Sequence, residues 1–359
     1  MSHGLPRRHW AAPTRIVLVD DSDATRNAVG RILEGALNVV VVGVARDGEE
    51  ALRQVLRLEP DMVFLDLQMP RMDGFTFLRL LMARRPTPVV VVSSQSHRAD
   101  VFKALELGAL DFVAKPEGGA PFDTIAQLLV EKCELLRSLR PENLASSIDP
   151  GARARARREL ADAREPRVIA VGASTGGPQA VTRLLSALPP DLPAAILVVQ
   201  HMPERFTAAF AERLGRVTPF SVKEAEEGDL LAPGRVLVAP GGRHLELRRA
   251  RDGSLHVSTP PEELPSSARG HVPSVDRLLE SVAREMGARA CGVVLTGMGQ
   301  DGKRGIRALK ARGGLTLAES QETAVIYGMP QAAAESGALD ELLPLDGLAA
   351  RVARFAREG

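Results

Sequence analysis

Short apolar runs that alternate with amphipathic stretches constrain the fold of this chain more than any other feature of its sequence. Such runs lie at residues 16–19, 39–44, 62–65, 89–92 and 109–114. The stretches after them are predicted to be helices, at residues 24–37, 48–58, 75–83, 99–107 and 122–139. Strands that are apolar throughout are buried on both faces, as in a parallel sheet covered by helices. The pattern therefore predicts a doubly wound α/β domain.

The same alternation begins again in the second half of the chain. Strands are predicted at residues 168–171, 195–199, 236–239, 292–295 and 315–318, and helices at 179–187, 206–214, 275–286 and 303–311. Residues 245–258 alternate apolar and polar side chains around Asp252-Gly253, which predicts an antiparallel hairpin. We therefore expect a second doubly wound parallel-sheet domain that carries this hairpin.

A segment without this alternation separates the two halves. Proline and glycine interrupt it, and arginines crowd a run of alanines. We interpret residues 137–165 as a linker, partly helical from 152 to 164, between domains at 14–136 and 166–357. The arginine cluster is interpreted as a solvated helix face in preference to a partner-binding surface.

The composition limits the partners and the compartment. The chain has 359 residues and a formal net charge of +1, which argues against a large nucleic-acid interface. Its 2 cysteines imply no disulfide framework and favour a reducing compartment. No signal peptide and no apolar run long enough for a bilayer is found. We therefore expect a cytoplasmic protein with no nucleic-acid partner and no membrane insertion.

Polar side chains follow four of the predicted strands of the first domain. They are Asp20, Asp21, Asp66, Ser93 and Lys115. Ligands of parallel sheets bind at the carboxyl ends of the strands, and clustered carboxylates favour a hard cation such as Mg²⁺. A carboxylate beside Mg²⁺ can accept a phosphoryl group, whose charge the metal and Lys115 would offset. A polar strand terminus is the simpler interpretation for any one of these residues, but not for all of them together.

A serine in the second domain has the setting of a nucleophile. Ser174 lies in Gly172-Ala173-Ser174-Thr175-Gly176, after an apolar run and before a predicted helix. A serine on such a turn exposes its hydroxyl, and the helix N-terminus directs N–H groups at a developing oxyanion. His201 ends the next predicted strand, and Asp301 lies in a glycine-rich loop after another. These residues form a candidate triad of nucleophile, base and orienting carboxylate.

Alternatives remain open at this point. His244 and His271 are the rivals of His201, His256 is weaker, and His3, His9 and His97 look peripheral. Asp276 is the rival of Asp301. Residues 172–177 are also compatible with a phosphate-binding loop, although the P-loop lysine and the G-x-G-x-x-G spacing are missing. The order serine, histidine, aspartate differs from that of the α/β-hydrolases.

The first domain closely resembles a two-component receiver with a flavodoxin-like fold. The resemblance rests on Val19-Asp20-Asp21-Ser22, Asp66-Leu67-Gln68-Met69-Pro70, Met72-Asp73-Gly74, Ser93-Ser94 and Lys115-Pro116. It implies that Asp66 is the phosphoacceptor. It further implies Mg²⁺ ligands at Asp20, Asp21, Asp66 and the backbone carbonyl of Gln68, and switch residues at Ser93, Phe112 and Lys115.

Residues 167 to about 355 resemble the Rossmann-like serine esterase domain of the CheB family of chemotaxis protein-glutamate methylesterases. The matching strings include residues 171–178, 200–203, 240–244, 271–276, 295–302 and 327–330. The resemblance implies a triad of Ser174, His201 and Asp301, with an oxyanion site at the backbone of Met298.

The two resemblances together imply an enzyme of sensory adaptation. It would hydrolyse glutamate methyl esters of chemoreceptors and deamidate specific receptor glutamines, with no cofactor for the esterase chemistry. A CheA-type histidine kinase would supply the phosphoryl group, and the receiver would cover the active-site mouth until Asp66 is phosphorylated. The rival classes are a catalytically inactive signalling adaptor and a DNA-binding response regulator. The intact triad argues against the adaptor, and the lack of a helix-turn-helix pattern argues against the DNA-binding regulator.

Overall fold

The computed structural model describes residues 13–94, 98–137, 139, 166–262 and 270–358. The chain divides into two compact units, residues 1–148 and 149–359. In the first unit, five parallel strands form one sheet in the order β2-β1-β3-β4-β5. These strands are β1 Thr14–Val19, β2 Val39–Ala45, β3 Met62–Leu65, β4 Val89–Ser93 and β5 Asp111–Ala114.

Five α-helices connect and follow these strands in the described part of this unit. They are α1 Asp23–Glu34, α2 Gly48–Leu58, α3 Gly74–Arg84, α4 Arg98–Glu106 and α5 Ala126–Glu134. The first three begin where a Ser or Asp side chain accepts a backbone N–H of the first turn, as N-cap residues do. The last helix, predicted at 122–139, is present as α5 but is shorter than predicted, because 3₁₀ turns at Phe122–Ile125 and Leu135–Arg137 flank it. The predicted α1 also runs too far, since its C-cap is Gly35.

The second unit contains a seven-stranded parallel sheet in the order β14-β13-β12-β6-β7-β9-β8. Its strands are β6 Arg167–Ala173, β7 Ala194–Gln200, β8 Ser221–Glu224, β9 Arg235–Val238, β12 Ala290–Val294, β13 Leu315–Glu319 and β14 Glu341–Leu343. The predicted hairpin is confirmed as β10 Glu246–Arg249 paired antiparallel with β11 Leu255–Ser258. The strands β8 and β14 were not predicted, and both lie at the edges of the sheet.

Six α-helices belong to the described part of this unit. They are α6 Gly177–Ala187, α7 Phe206–Val217, α8 Val275–Met286, α9 Lys303–Ala311, α10 Gly328–Glu335 and α11 Leu345–Arg357. The sequence prediction missed α10 and α11. In α11, buried residues recur at helical spacing from Leu345 to Ala356, a pattern that was available in the sequence.

Both sheets contain a topological switch point, where successive connections leave the same region in opposite directions. It lies between β1 and β3 in the first unit and between β6 and β12 in the second. Ligands of such sheets bind outside the carboxyl ends of the strands at this point. The α/β class with two doubly wound parallel sheets is confirmed. The linker at 137–165 falls almost wholly outside the described residues, so the domain boundaries stay a prediction.

None of the helices in the described ranges is both long and apolar enough to cross a membrane.

Candidate active site

Ser174 follows the last residue of β6, at the switch point of the second sheet. Its N–H donates to the carbonyl of Thr296 at 3.0 Å, and its own carbonyl accepts the N–H of Gly177 at 2.8 Å. Gly176 has a φ of 76°, which a residue with a side chain adopts only with strain. Gly176 thus permits the tight turn that leads into α6. Ser174 lies at the beginning of this turn and is half-buried.

His201 is held beside Ser174 by strand pairing. β6 and β7 are in register so that Ala173 lies opposite Gln200. The N–H of His201 extends this ladder by donating to the carbonyl of Ala173 at 3.0 Å. The Gln200 side chain donates to the carbonyls of Ser174 at 2.8 Å and His201 at 3.1 Å, which ties the two strand ends together.

The imidazole ring of His201 is paired with the Asp301 carboxylate. Nε2 of His201 lies 2.8 Å from Oδ2 of Asp301, and both side chains are less than a tenth exposed. Nδ1 of His201 is buried and has no hydrogen-bond partner among the described residues. Because a carboxylate accepts hydrogen bonds only, this pairing places the ring proton on Nε2 and leaves Nδ1 as the acceptor.

The Asp301 carboxylate is itself held by the start of α8. Oδ2 accepts the N–H of Val275 at 2.8 Å, and Oδ1 accepts the N–H of Asp276 at 2.8 Å and the hydroxyl of Ser274 at 3.1 Å. Burial raises the pKa of Asp301, but the hydrogen bond and charge of His201 and the backbone N–H groups outweigh it, giving a pKa of about 2. Asp301 therefore remains an anion at neutral pH.

A second glycine-rich turn packs directly against Ser174. A Cβ placed on Gly297 would lie 2.7 Å from Cβ of Ser174 and 2.4 Å from Sδ of Met329. Such distances are far below van der Waals contact, so only glycine fits at 297. Gly299 has a φ of 84°. Met298, the residue of the predicted oxyanion site, directly follows Gly297 and is therefore one residue away from this contact with Ser174.

The acidic residues of the first domain also meet at a switch point. Carboxylate oxygens of Asp20, Asp21 and Asp66 lie within 4.8 Å of one another. Nζ of Lys115 lies 2.8 Å from Oδ2 of Asp20 and 2.7 Å from Oδ2 of Asp66. Asp20 and Asp66 are buried, whereas Asp21 is exposed. The N–H of Gln68 donates to Asp66 at 3.4 Å, which places its backbone at the same cluster.

The charges in this cluster favour a cation. Burial raises the pKa of Asp20, and the hydrogen bond from Lys115 offsets this only in part. Burial alone would lower the pKa of Lys115, but its bonds to Asp20 and Asp66 raise it. The lysine is therefore a cation that balances one of the carboxylates. An all-oxygen donor set with excess negative charge fits Mg²⁺.

The two other predicted switch residues lie on neighbouring strands. Ser93 ends β4 and is buried, and its carbonyl accepts the N–H of Lys115 at 2.8 Å. Phe112 lies in β5, buried and paired with Val91 of β4. The structure therefore links Ser93 to the acidic cluster through Lys115. Phe112 lies in β5, two strands away from β3, the strand that Asp66 follows.

Known proteins share both halves of this arrangement. Residues 169–352 match the family model described as CheB methylesterase, and residues 16–125 match the one described as response regulator receiver domain. The chain is 62% identical to "Protein-glutamate methylesterase/protein-glutamine glutaminase 6" of Anaeromyxobacter dehalogenans, over 96% of each chain. The chain belongs to the CheB methylesterase family.

More distant relatives agree with this assignment. "Protein-glutamate methylesterase/protein-glutamine glutaminase 1" of Myxococcus xanthus is 49% identical, over 95% of this chain and 97% of that one. A crystal structure of the Thermotoga maritima CheB methylesterase catalytic domain is 37% identical, with a TM-score of 0.50. It covers 53% of this chain and 99% of its own. The predicted family and fold class are thereby confirmed.

The rival histidines occupy other positions in this CheB-family chain. His244 is buried, with Nε2 2.9 Å from Glu262 and Nδ1 accepting the N–H of Ser274 at 3.2 Å. Both of its nitrogens are therefore occupied by structural bonds. His256 lies in β11 opposite Arg248, in the hairpin. His3, His9 and His97 lie outside the described residues.

The sequence prediction did not anticipate the position of His271. Its ring stacks on His201 with a centroid distance of 4.0 Å and an interplanar angle of 16°. The side chain of Asp276, the rival of Asp301, instead accepts backbone N–H groups at the start of α9.

The phosphate-loop alternative for residues 172–177 is disfavoured by the backbone. The N–H groups of Ser174 and Gly177 already donate to Thr296 and to Ser174. These two N–H groups could bind a phosphate only by giving up those bonds.

The sequence prediction also missed two residues whose side chains hold the backbone around Ser174. Gln200, buried at the end of an apolar strand, is one. Glu319, whose carboxylate accepts the N–H of Thr296 at 2.8 Å, is another. A buried amide or carboxylate at a strand end was the signal that was available in the sequence.

Proposed function

We propose that this protein is a phosphorylation-controlled serine hydrolase that removes methyl groups from glutamate methyl esters of chemoreceptors. The observation that carries the proposal is the ring of His201, bound at Nε2 to Asp301 and unpartnered at Nδ1, at the strand end beside Ser174. A buried ring nitrogen without a partner costs free energy, and a role in proton transfer explains why such a nitrogen is retained.

The acylation step follows from this geometry. Ser174 Oγ adds to the γ-carbonyl carbon of the ester while its proton passes to Nδ1 of His201. Asp301 stabilises the resulting imidazolium through Nε2 without taking the proton. The backbone N–H of Met298 donates to the oxyanion. The C–O bond to the methoxy group then breaks, and methanol leaves with the proton from His201.

Deacylation repeats these steps with water. His201 Nδ1 takes a proton from the water, whose oxygen adds to the acyl carbon, and Ser174 leaves with the proton. The carboxylic acid that forms loses its proton to water, so the products are a free glutamate carboxylate and the original enzyme. The same site would deamidate specific receptor glutamines, where ammonia takes the place of methanol. These residues supply every group that the chemistry needs, so we propose no cofactor for the esterase.

The first domain would regulate this activity through Asp66. A CheA-type histidine kinase would supply the phosphoryl group, and Mg²⁺, held by Asp20, Asp21, Asp66 and the backbone carbonyl of Gln68, would neutralise phosphoryl charge. Lys115 bonds Asp66 at 2.7 Å before phosphorylation and is positioned to contact the new phosphoryl oxygens. Ser93 and Phe112 would carry the change to the surface of the domain.

The location that fits these partners is the cytoplasm. Cys133 and Cys291 are both free and buried, in keeping with a reducing compartment. With a net charge of +1, we propose no nucleic-acid partner, and we propose no insertion into the membrane.

The proposal is tested by methanol release. The full chain is incubated with methylated receptor in Mg²⁺, with and without a small-molecule phosphodonor. We expect release in both conditions and faster release with the phosphodonor. An unchanged receptor methyl content in both conditions would favour the inactive adaptor instead.

A further inference from the structure

The loop that carries Asp301 is built together with the start of α8. Ser274 caps this helix, and its hydroxyl donates to Asp301. The N–H groups of Val275 and Asp276 in the first turn also donate to Asp301. The Asp301 carboxylate therefore stabilises the positive end of α8, as an anion at a helix N-terminus does.

Asp276 makes the reciprocal contact. Its Oδ1 accepts the N–H of Gly302 at 2.9 Å and of Gly305 at 2.8 Å, at the start of α9. Its Oδ2 accepts Nε of Arg304 at 3.0 Å. Asp276 is only 7% exposed, and its two bonds to backbone N–H groups are buried. Asp301, which precedes α9, thus caps the start of α8, and Asp276, which lies in α8, caps the start of α9.

Glycines allow the two helices to approach closely enough for this exchange. A Cβ on Gly305 would lie 2.5 Å from Cβ of Leu279 and 3.1 Å from the carbonyl of Asp276. Gly302, which immediately follows Asp301, has a φ of 101°. Its N–H can therefore turn toward Asp276 while Asp301 faces His201.

We propose that Asp276 is a positioning residue of the esterase. It anchors the residue next to Asp301, and thereby keeps the Asp301 carboxylate within hydrogen-bond reach of Nε2 of His201. Asp276 contacts neither His201 nor the reacting atoms, so it acts only through Asp301. This inference rests on the proposed function of the triad.

The expected effect is a loss of turnover with little change in substrate binding. In Asp276→Ala, two buried N–H groups lose their acceptor and the loop shifts. A misplacement of this kind lowers kcat on the order of a hundredfold, with KM nearly unchanged. The acid limb of the kcat/KM profile moves to lower pH, because an imidazole with a less closely held carboxylate loses its proton more readily.

A conservative variant separates position from charge. In Asp276→Asn the amide oxygen still accepts the N–H groups of Gly302 and Gly305. We therefore expect kcat within a few-fold of the original and an unshifted acid limb. The downfield proton resonance of His201 Nε2–H, sensitive to its bond with Asp301, should persist in Asp276→Asn and disappear in Asp276→Ala.

Asp340→Ala is the matched control. Asp340 also accepts a backbone N–H, that of Thr316 at 2.9 Å, but at the beginning of β13 and thus at the opposite end of the sheet. It should lower the unfolding temperature without changing kcat, the pH profile or the resonance. If Asp340→Ala reproduces the kinetic loss of Asp276→Ala, the effect is general destabilisation and the proposal is wrong.

Further outcomes separate this inference from the proposed function. A folded Asp276→Ala with kcat within twofold of the original overturns the positioning role alone. A silent Asp301→Asn overturns the triad itself. If Asp276→Ala does not fold, Asp276→Glu decides: it keeps the charge but moves the oxygens by one methylene, so kcat should fall about tenfold. Full activity of that variant overturns the proposal.

Discussion

Oδ2 of Asp301 lies 2.8 Å from Nε2 of His201, the nitrogen across the ring from the one left unpartnered. Because Asp301 stays ionised, with a pKa of about 2, it favours the tautomer of the neutral ring that carries its proton on Nε2. The base of the proposed reaction is therefore Nδ1, and the orientation of the ring is set before substrate binds.

Replacing Asp301 tests this orientation. In Asp301→Asn the amide can donate a hydrogen bond to the ring and favour the tautomer that carries its proton on Nδ1. We expect kcat to fall by roughly 10⁴ while the chain stays folded. Steady-state methanol release at saturating substrate measures it. Asp340→Asn, which keeps its acceptor oxygen for Thr316, should retain full activity. Loss of activity in Asp276→Asn, with none in Asp301→Asn, would mean that the triad is misassigned.

Glu319 should make the stability of the second domain depend on pH. It is 1% exposed, and burial raises its pKa from 4.5 to about 7. The hydrogen bond from the N–H of Thr296 offsets this increase only in part. The folded state then binds the proton more tightly than the unfolded state. The resulting stabilisation is full below pH 4.5 and is lost as pH rises through 7. It amounts to on the order of 3 kcal/mol.

Glu319→Gln removes this titration. At pH 8 the variant should unfold several degrees above the original chain, and the difference should vanish near pH 4, as thermal unfolding of the second domain measures. Glu322→Gln, an exposed neighbour, should have no effect at either pH. Parallel stability profiles for Glu319→Gln and the original chain would show that Glu319 does not titrate in this range.

Asp66→Asn should separate basal from stimulated activity. The amide cannot accept a phosphoryl group, so a phosphodonor should no longer accelerate methanol release, while the unstimulated rate remains. Chelation of Mg²⁺ should abolish stimulation of the original chain in the same assay. Asp73→Asn is the control, because Asn caps α3 as well as Asp73 does. If the phosphodonor still accelerates methanol release by Asp66→Asn, a residue other than Asp66 is the phosphoacceptor.

Removal of the first domain tests how it acts. If that domain inhibits the esterase until Asp66 is phosphorylated, a fragment without residues 1 to about 150 should be faster than the unphosphorylated whole. The comparison is made at equal concentrations of folded protein with the same methylated receptor. A fragment no faster than the whole chain would mean that the first domain acts by stimulation or by delivery to receptors.

Buried parallel strands were the part of the fold that the sequence predicted well. Such strands are apolar along their whole length, and the polar residues that end them, among them Asp66 and His201, mark the carboxyl edge of the sheet. The edge strands β8 and β14 were missed because they are short and partly polar, so their pattern resembles that of a loop.

The site was predictable as a set of residues but not as a set of contacts. The strand-end positions of Ser174 and His201 follow from local pattern. Three contacts of the site join parts of the chain that are far apart in sequence. They are the hydrogen bond of Asp301 to Nε2 of His201, the stacking of His271 on His201 and the capping of α9 by Asp276. No local pattern encodes such geometry, since it depends on how α8, α9 and the sheet pack.

The most direct test of the account is methanol release by Ser174→Ala. The original chain, Ser174→Ala and Ser221→Ala are each given methylated receptor, Mg²⁺ and a phosphodonor. Ser221 is exposed at the beginning of the edge strand β8, far from the carboxyl ends of the strands, and its variant should equal the original. We predict that folded Ser174→Ala loses turnover by a factor on the order of 10⁶. Substantial methanol release by that variant would contradict the assignment of Ser174 as the nucleophile.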